Sequence, residues 1–428
     1  MTETARFDAV VEQLIETGGP GAAVAVLREG RFVHRKAYGL ADLEWGTALA
    51  PDCSFRIASL TKQFTAAAIL RLEAQGRVSI DDPLEAHLPD FDPRGRRVSL
   101  RSLLNHTSGL RNHDLGQGSR AGRPNTPRAE VLASVKAAPF DSEPGERYRY
   151  CNSGYLLLGA VIEAVSGVSY ATFVAAEFFE PLGMARTGMF APRRITPKRA
   201  RGYVRGRGGF HNADPDPFNW SDSAGALSST LDDLALWDGA LRDGRVMTPD
   251  AFARMIEPTR LTNGTVYPYG LGWGTATYGG HALHHHTGGI SGFACQMARL
   301  NDGSLTTIVL SNLYLFPFDR VTRGLLRAAL DMPERRGPFT PPEPSDLHAC
   351  AGVFENDEGG QVVIDASGGR RARLAAVGEG HLCDPQDPEV ELRFSKMTGD
   401  SYQILEYVSP LWPTQTYARA ANAGGERL

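Results

Sequence analysis

The sequence contains few cysteines and few lysines. Five cysteines are scattered along 428 residues and form no Cys-x-x-Cys pair: Cys53, Cys151, Cys295, Cys350 and Cys383. This odd, dispersed set argues against a disulfide framework and against a cysteine-based zinc site, and it is typical of free thiols in a reducing compartment. Only five of the 45 basic residues are lysines. Each lysine is therefore unusual here, and arginine cannot replace it as a base because arginine does not deprotonate.

Long apolar runs and a strong excess of charge are also missing. The best apolar stretch, residues 155–162, ends at Glu163 and is far too short to span a bilayer. Residues 1–8 are polar, so the pattern predicts no signal peptide. The net charge of −4 argues against nucleic acid as the main partner. We therefore expect a soluble cytoplasmic protein with neither a membrane nor a nucleic acid as its partner.

Within the first 330 residues, strand-like segments lie at both ends and helical segments lie between them. The strand-like segments are residues 22–27, 31–38, 269–273, 295–300 and 304–310. The helical segments are residues 59–76, 154–165, 170–179, 230–241 and 321–330. This arrangement predicts an α+β fold whose antiparallel sheet is assembled from distant segments.

The C-terminal part has a different pattern. Residues 333–344 are dense in proline and charge and predict a linker. Short strand-like segments follow, separated by glycine, aspartate and proline: residues 351–354, 361–364, 371–374, 389–394 and 402–407. Their spacing predicts a small all-β barrel. We therefore expect a main domain over residues 1–335 and a barrel domain over residues 336–428.

Ser59 and Lys62 form the first candidate catalytic pair, at the start of a predicted helix. Their i,i+3 spacing places both side chains on one face of the helix. A serine hydroxyl needs a neighbour to take its proton, and a lysine amine can do so once burial lowers its pKa. The helix N-terminus also supplies unpaired N–H groups that a developing oxyanion needs. Such a pair also arises by chance, so taken alone it is a weak signal.

Two further motifs carry polar side chains suited to catalysis. Tyr150 and Asn152 lie where a loop meets a helix, so a phenol and an amide can enter one cleft; the alternative is a core tyrosine beside a helix cap. His286 and Gly288 lie in the sequence His-His-His-Thr-Gly-Gly, which leads into a strand. Neighbouring side chains of an extended chain point in opposite directions, so these histidines cannot converge on one metal ion. The glycines instead predict an active-site strand that a substrate backbone can approach closely.

The three motifs, residues 59–62, 150–152 and 286–288, resemble in type and order those of the penicillin-recognising serine hydrolases. That family includes class C β-lactamases, DD-peptidases, esterases and D-stereospecific peptidases. Similar flanks are found at residues 104–110, 144–148, 181–184 and 223–226. Within the family the sequence most resembles D-aminopeptidases, over residues 148–152, 220–228, 268–272 and 286–296.

The resemblance implies an α+β fold, with a β-lactamase/transpeptidase-like domain of an antiparallel sheet flanked by helices over residues 1–335. It implies a small C-terminal antiparallel, lipocalin-like β-barrel over residues 336–428. The implied catalytic residues are Ser59, Lys62, Tyr150 and His286. The implied substrate-binding residues are Asn152, Gly288 and Gly289, and neither a metal nor a cofactor is expected.

The resemblance also implies the roles of these residues. Ser59 attacks a carbonyl to form an acyl-enzyme, Lys62 is its base and Tyr150 passes a proton to the leaving group. Asn152 holds the substrate amide, and the backbone N–H groups of Ser59 and Gly289 form an oxyanion hole. The expected partner is a small peptide, amide or ester substrate, and a homodimer is compatible with the family.

His286 stands where many members of the family have lysine. A histidine is mostly neutral near pH 7, so this site should bind free carboxylates and β-lactam acids less well than a lysine site. This fits amides, esters or aminopeptidase substrates better, and the resemblance to D-aminopeptidases implies a D-stereospecific aminopeptidase or amidase. The alternatives are a penicillin-binding-protein-type thioesterase or peptide cyclase, a carboxylesterase, and an inactive hydrolase-like binding protein. The last has little support because every catalytic side chain is present in order.

Overall fold

The structure, a computed structural model, describes residues 2–113, 126–206, 208–214, 218–333, 352–355, 361–364, 375–378, 381–384, 387–398 and 401–419. These residues form two compact units. The first consists of residues 1–275 and 280–331, and the second of residues 276–279 and 332–428. The predicted linker after residue 333 lies outside the described residues. The domain boundary at residue 335 stays a prediction.

The helices are α1 (Glu3–Glu12), α2 (Thr61–Ala74), α3 (Leu100–Leu104), α4 (Arg128–Ala137), α5 (Asn152–Ser166), α6 (Tyr170–Val174), α7 (Glu180–Leu182), α8 (Phe218–Gly225), α9 (Leu231–Arg242), α10 (Pro249–Ile256) and α11 (Phe318–Ala329). Short 3₁₀ segments cover Ala58–Leu60 and Leu84–Ala86, and a π-helical turn covers Ala175–Phe179.

The strands of the first unit are β1 (Ala22–Arg28), β2 (Arg31–Tyr38), β3 (Leu40–Asp42), β4 (Thr47–Ala48), β5 (Phe55–Arg56), β6 (Gly188–Met189), β7 (Tyr203–Gly206), β8 (Gly209–Asn212), β9 (Leu227–Ser229), β10 (Thr259–Arg260), β11 (Val266–Tyr267), β12 (Gly274–Tyr278), β13 (His281–Ile290), β14 (Phe293–Leu300) and β15 (Leu305–Ser311). The end of β12 belongs to the second unit. The strands of the second unit are β16 (Gly352–Glu355), β17 (Gln361–Ile364), β18 (Ala375–Gly378), β19 (His381–Asp384), β20 (Asp387–Thr398), β21 (Ser401–Ser409) and β22 (Trp412–Arg419).

A six-stranded sheet in the order β12-β13-β14-β15-β1-β2 forms the centre of the first unit. Its pairings β1–β2, β1–β15, β14–β15 and β13–β14 are antiparallel. Strand β1 is apolar at every position from Ala22 to Leu27 and fully buried there, because helices cover both faces of the sheet. The α+β fold predicted from the sequence is confirmed.

Helix α2 runs through the centre of the helical layer. All of its first ten residues are buried, and it contacts α5, α6 and α8. A helix that is buried on all sides has no polar face for solvent, and this one is rich in alanine. Its N-terminus meets the sheet, where the 3₁₀ turn before it contacts β13 and β14.

The strand predicted at residues 269–273 is wrong. The chain there makes only an isolated bridge between Tyr269 and Gly274, and the sheet strand β12 begins at Gly274. Gly272 has φ +79°, which turns the backbone out of an extended path. A Cβ at Gly272 would lie 2.9 Å from the Lys62 carbonyl oxygen, so this turn packs directly on the start of α2.

The second unit is one seven-stranded sheet in the order β17-β16-β22-β21-β20-β19-β18. Each of its pairings is antiparallel. Pairing of the outer strands β17 and β18 is not seen in the part of the unit that the structure describes, so closure into a lipocalin-like barrel stays a prediction.

No single helix within the described ranges is long and apolar enough to cross a membrane. One pair of helical segments, Asn152–Ser166 and Tyr170–Leu182, meets that requirement by length and composition but is bent by 78°.

Candidate active site

Ser59 lies in the middle of the 3₁₀ turn that precedes α2. The turn is held from the side by an Ile57 N–H that donates to the Leu227 carbonyl oxygen at 3.0 Å. Ala58 adopts φ +45°, a left-handed conformation that is costly for a residue with a Cβ. Ala58 and Leu60 are buried while Ser59 is only half-buried. The strained turn therefore presents the hydroxyl of Ser59 at the surface of a packed core.

The Lys62 side chain is fully buried one turn further on. Its Nζ lies 3.1 Å from Ser59 Oγ, 2.7 Å from Asn152 Oδ1 and 2.8 Å from the Ala224 carbonyl oxygen. Burial lowers the pKa of Lys62 well below its usual value of 10.5.

The neutral form of Lys62 fits this set of partners. A neutral amine has two N–H donors and one lone pair. Asn152 Oδ1 and the Ala224 carbonyl oxygen only accept, so they take both donors. The lone pair then faces Ser59, whose hydroxyl donates to it. This is the arrangement that a base for Ser59 requires.

The Tyr150 hydroxyl is hydrogen bonded to Ser59, and Lys62 Nζ lies 4.7 Å from the centroid of the Tyr150 ring. Burial raises the pKa of the Tyr150 phenol above its ordinary value, although the bond to Ser59 lowers it. Burial thus favours the uncharged form of both Tyr150 and Lys62, rather than a phenolate beside an ammonium.

Asn152 is the first residue of α5. Its Oδ1 accepts from Lys62 and its backbone N–H donates to Asn112 Oδ1 at 2.8 Å. The first bond holds the side chain toward Lys62, and the second satisfies the backbone N–H at the start of α5. The predicted contact between Asn152 and a substrate carbonyl would fall to its Nδ2.

His286 lies on β13 and is 4% exposed. Its Nε2 is 2.9 Å from the Tyr269 hydroxyl and its Nδ1 is 2.6 Å from the Thr287 carbonyl oxygen. Its ring centroid is 6.3 Å from that of Tyr150. Burial, together with the nearby Lys62, lowers the pKa of His286 to about 3. His286 is therefore a neutral ring whose nitrogens are both used within the protein.

The two glycines after His286 have different surroundings. A Cβ at Gly288 would lie 2.5 Å from both the Ile57 carbonyl oxygen and Cys295 Sγ. At Gly289, which is exposed, the nearest atom to such a Cβ is a Tyr314 ring carbon at 3.9 Å. The close approach predicted for these glycines is thus made at Gly288 by the protein's own serine turn, and open space for a substrate lies at Gly289.

Gly288→Ala is expected to lower the turnover number and to reduce the free energy of unfolding by about 1–3 kcal/mol, because the added methyl pushes on the serine turn. Gly289→Ala is the matched control, one residue along the same strand, and should leave stability nearly unchanged. Thermal unfolding and the rate of acylation by a fluorophosphonate measure the two effects. Equal behaviour of the two variants would contradict this packing role of Gly288.

Two residues at the site were not assigned a role from the sequence. His106 is 1% exposed, its ring centroid lies 4.3 Å from that of Tyr150, and its φ is +62°. Tyr269, which contacts His286, is also buried. One signal was available: Tyr269 ends a Tyr-x-Tyr triplet, residues 267–269, that matches the triplet at residues 148–150. The rings of Tyr148 and Tyr267 stack with centroids 3.8 Å apart.

An ionic cluster supports the segment that carries the Ala224 carbonyl. The Asp222 carboxylate is buried and accepts from Arg128, which also donates to Glu163 at 2.7 Å. Burial raises the pKa of Asp222, while the bond from Arg128 opposes that shift. Asp222 has φ +27°, so the cluster holds a bend that places the Ala224 carbonyl oxygen over Lys62.

The consecutive histidines contact different groups. His284 Nε2 lies 2.8 Å from Asn301 Oδ1, whereas His286 contacts Tyr269. Among the residues placed by the structure, no group of three or more histidine, cysteine, aspartate or glutamate side chains could hold a metal ion.

Comparison with known proteins identifies the family to which the chain belongs. A family model described as Beta-lactamase matches residues 7–331. D-aminopeptidase of Brucella canis is 32% identical over 366 residues, which are 82% of this chain and 67% of that protein. The chain thus spans about two thirds of the length of this relative.

Two solved structures are similar. The octameric penicillin-binding protein homologue from Pyrococcus abyssi has a TM-score of 0.72 at 24% identity, covering 97% of this chain and 100% of that one. A D-stereospecific amidohydrolase from Streptomyces sp. has a TM-score of 0.64 at 26% identity, covering 76% and 98%. The side chains of Lys62 and Tyr150 both contact that of Ser59. The family model and the relative show that the chain belongs to the β-lactamase family and is a serine hydrolase.

Proposed function

We propose that this protein hydrolyses the amide bond of D-amino acid amides or short D-peptides through an acyl-enzyme on Ser59. The observation that carries the proposal is the contact of Ser59 Oγ with Lys62 Nζ at 3.1 Å, in a buried setting that lowers the pKa of the amine. The D-aminopeptidase relative and the D-stereospecific amidohydrolase support the choice of substrate.

The proposed reaction has two stages. Ser59 Oγ attacks the amide carbonyl and its proton passes to Lys62. The tetrahedral intermediate then breaks its C–N bond, and the proton held by Lys62 passes through the Tyr150 hydroxyl to the leaving amine. Water next attacks the ester and gives one proton to Lys62. When the C–O bond to Ser59 breaks, this proton returns to Ser59 Oγ, and the amino acid and free Ser59 are released. The backbone N–H groups of Ser59 and Gly289 would stabilise the oxyanion in both stages.

The state of His286 supports an amide rather than a carboxylate substrate. Its ring is neutral and both nitrogens are already bonded, so it offers neither a charge nor a free N–H to a substrate carboxylate. We therefore propose substrates whose reacting end is an uncharged amide.

A substrate panel tests the proposal. D-alanine p-nitroanilide is expected to be cleaved at least about 100-fold faster, by kcat/KM, than the L-isomer. D-Ala-D-Ala with its free carboxylate, a cephalosporin, a short-chain ester and a peptidyl thioester complete the panel. Faster release from the thioester or the ester, or equal rates for the two isomers, would contradict a D-amidase and favour the alternative enzyme classes.

We also propose a cytoplasmic location and small-molecule partners. Three cysteines, Cys53, Cys151 and Cys295, are free and buried, as is usual in a reducing compartment. The octameric state belongs to the Pyrococcus abyssi homologue; for this chain a homodimer remains our proposal.

A further inference from the structure

We propose that His106 and Tyr269 are positioning residues that hold His286 in one neutral tautomer and tie the Tyr150–Asn152 segment to β13. The inference rests on the proposed function of this site. It is carried by a continuous row of four hydrogen bonds that begins at the Cys151 backbone and ends at the Thr287 backbone.

The Cys151 end of the row determines which ring nitrogen of His106 carries the proton. The Cys151 N–H can only donate, and it lies 3.1 Å from His106 Nδ1. Nδ1 must therefore be the unprotonated nitrogen, so the proton of the neutral ring is on Nε2. His106 Nε2 lies 3.2 Å from the Tyr269 hydroxyl and donates to its oxygen.

The Thr287 end of the row determines which ring nitrogen of His286 carries the proton. The Thr287 carbonyl oxygen can only accept, and it lies 2.6 Å from His286 Nδ1, which therefore carries the proton. His286 Nε2 then has a lone pair, and the Tyr269 hydroxyl donates to it at 2.9 Å. The two ends meet at Tyr269, whose hydroxyl accepts from one ring and donates to the other.

With both rings neutral, every hydrogen bond of this row is donated in the same direction, from the Cys151 N–H to the Thr287 carbonyl oxygen. A proton added to His106 would place an Nδ1–H against the Cys151 N–H. A proton added to His286 would leave Tyr269 facing two donors, and the Tyr269 hydrogen would have to turn away from His286 toward Tyr155, the other hydroxyl bonded to it. His106, Tyr269 and His286 are 1%, 5% and 4% exposed, so solvent cannot supply the missing partners.

The row joins the second and third motifs of the site. Cys151, whose N–H starts the row, lies between Tyr150 and Asn152, and the His106 ring packs against Tyr150. The far end lies on β13 beside Gly288, against which the serine turn packs. His106 also keeps a left-handed φ of +62°, a conformation that persists only where surrounding contacts impose it.

Other titratable groups face the two rings. Those affecting His286 are Lys62 and His285. Those affecting or packing on His106 are Lys62, His286, Tyr148, Tyr150 and Tyr155. Neither set of groups contains a carboxylate that would stabilise a protonated ring, and burial lowers the pKa of both histidines, in agreement with the direction of the row.

Tyr269→Phe tests the role by removing only the hydroxyl. We expect kcat for D-alanine p-nitroanilide to fall about 10- to 100-fold, with KM changed less than about threefold, because the cleft loses its alignment. Tyr267→Phe, two residues earlier, is the matched control and should retain kcat. His106→Gln keeps a donor toward Tyr269, so it should retain at least about tenfold more activity than His106→Leu.

A second readout does not require substrate. Nitrogen-15 NMR of histidine-labelled protein should show His286 with its proton on Nδ1 and His106 with its proton on Nε2, both uncharged from pH 5.5 to 8. In Tyr269→Phe the nitrogen-15 chemical shifts of His286 should no longer be those of the Nδ1–H tautomer alone. Identical tautomers on the two rings, a charged ring in this range, or a Tyr269→Phe variant with wild-type kcat would overturn the proposal.

The two readouts separate this proposal from the proposed function. If His106 and His286 have the expected tautomers but the protein cleaves no amide, only the proposed amidase function is contradicted. If the protein is an active amidase but its Tyr269→Phe variant behaves like Tyr267→Phe, only the proposed positioning role is contradicted. If Tyr269→Phe does not fold, the wild-type tautomers and the His106→Gln and His106→Leu pair still decide the matter.

Discussion

Ser59→Ala is expected to abolish labelling by a fluorophosphonate and to reduce amide hydrolysis by about 10⁴-fold or more. Lys62 Nζ lies 3.1 Å from Ser59 Oγ, and the covalent step needs this oxygen. Mass spectrometry of the labelled protein measures the first effect, because acylation adds the mass of the probe to the peptide containing residue 59.

The matched control is Ser134→Ala. Ser134 is also half-buried, and its hydroxyl donates to the Val131 carbonyl oxygen at 2.9 Å within α4. This variant should be labelled at the wild-type rate. Labelling of Ser59→Ala at another site with hydrolysis intact would remove Ser59 as the nucleophile and, with it, the proposed reaction.

Lys62→Met is expected to reduce kcat/KM by about 10²- to 10⁴-fold, the usual contribution of a general base. Lys62→Arg should be equally impaired, because arginine keeps the positive charge but cannot deprotonate. In the wild type, activity requires the unprotonated amine, so it should rise with pH through the pKa of Lys62. Burial holds that pKa well below 10.5. In Lys62→Met the rise should disappear.

Lys136→Met is the control for Lys62. Lys136 lies on α4 and pairs with Asp90 at the surface, with a contact of 2.5 Å, so its loss should leave the pH–rate profile unchanged. The profile of kcat/KM between pH 5 and 10 is the measurement. Substantial activity in Lys62→Arg would show that a cation rather than a base is needed at this position.

The contact between Ser59 and Lys62 could be predicted because the two residues are three positions apart (i,i+3) on one local element. The predicted helix nevertheless began at Ser59, whereas α2 begins at Thr61 and Ser59 lies in a 3₁₀ turn. The turn results from the strained Ala58 and its contact with Gly288, and neither is visible in a local pattern.

The longer-range part of the site depends on packing between segments that local spacing cannot relate. The sequence motif suggested that His286 faces the substrate, but its partners are Tyr269 and its own strand. His106 was noted only as part of a similar flank, because nothing in a Thr-Ser-Gly turn indicates which ring packs on it. The strand predicted at residues 269–273 failed for a related reason: Gly272 turns the backbone to fit against α2.

The position of β1 has a consequence for the order in which the protein becomes active. Residues 22–28 are synthesised long before residues 305–311, yet one edge of this strand pairs with them. Such a distant pairing is slow to form, because a long loop must close before any contact repays it. A nascent chain on the ribosome therefore carries Ser59 and Lys62 long before it carries β13. Reactivity toward acyl groups is acquired only after residues 281–290 of β13 have been synthesised.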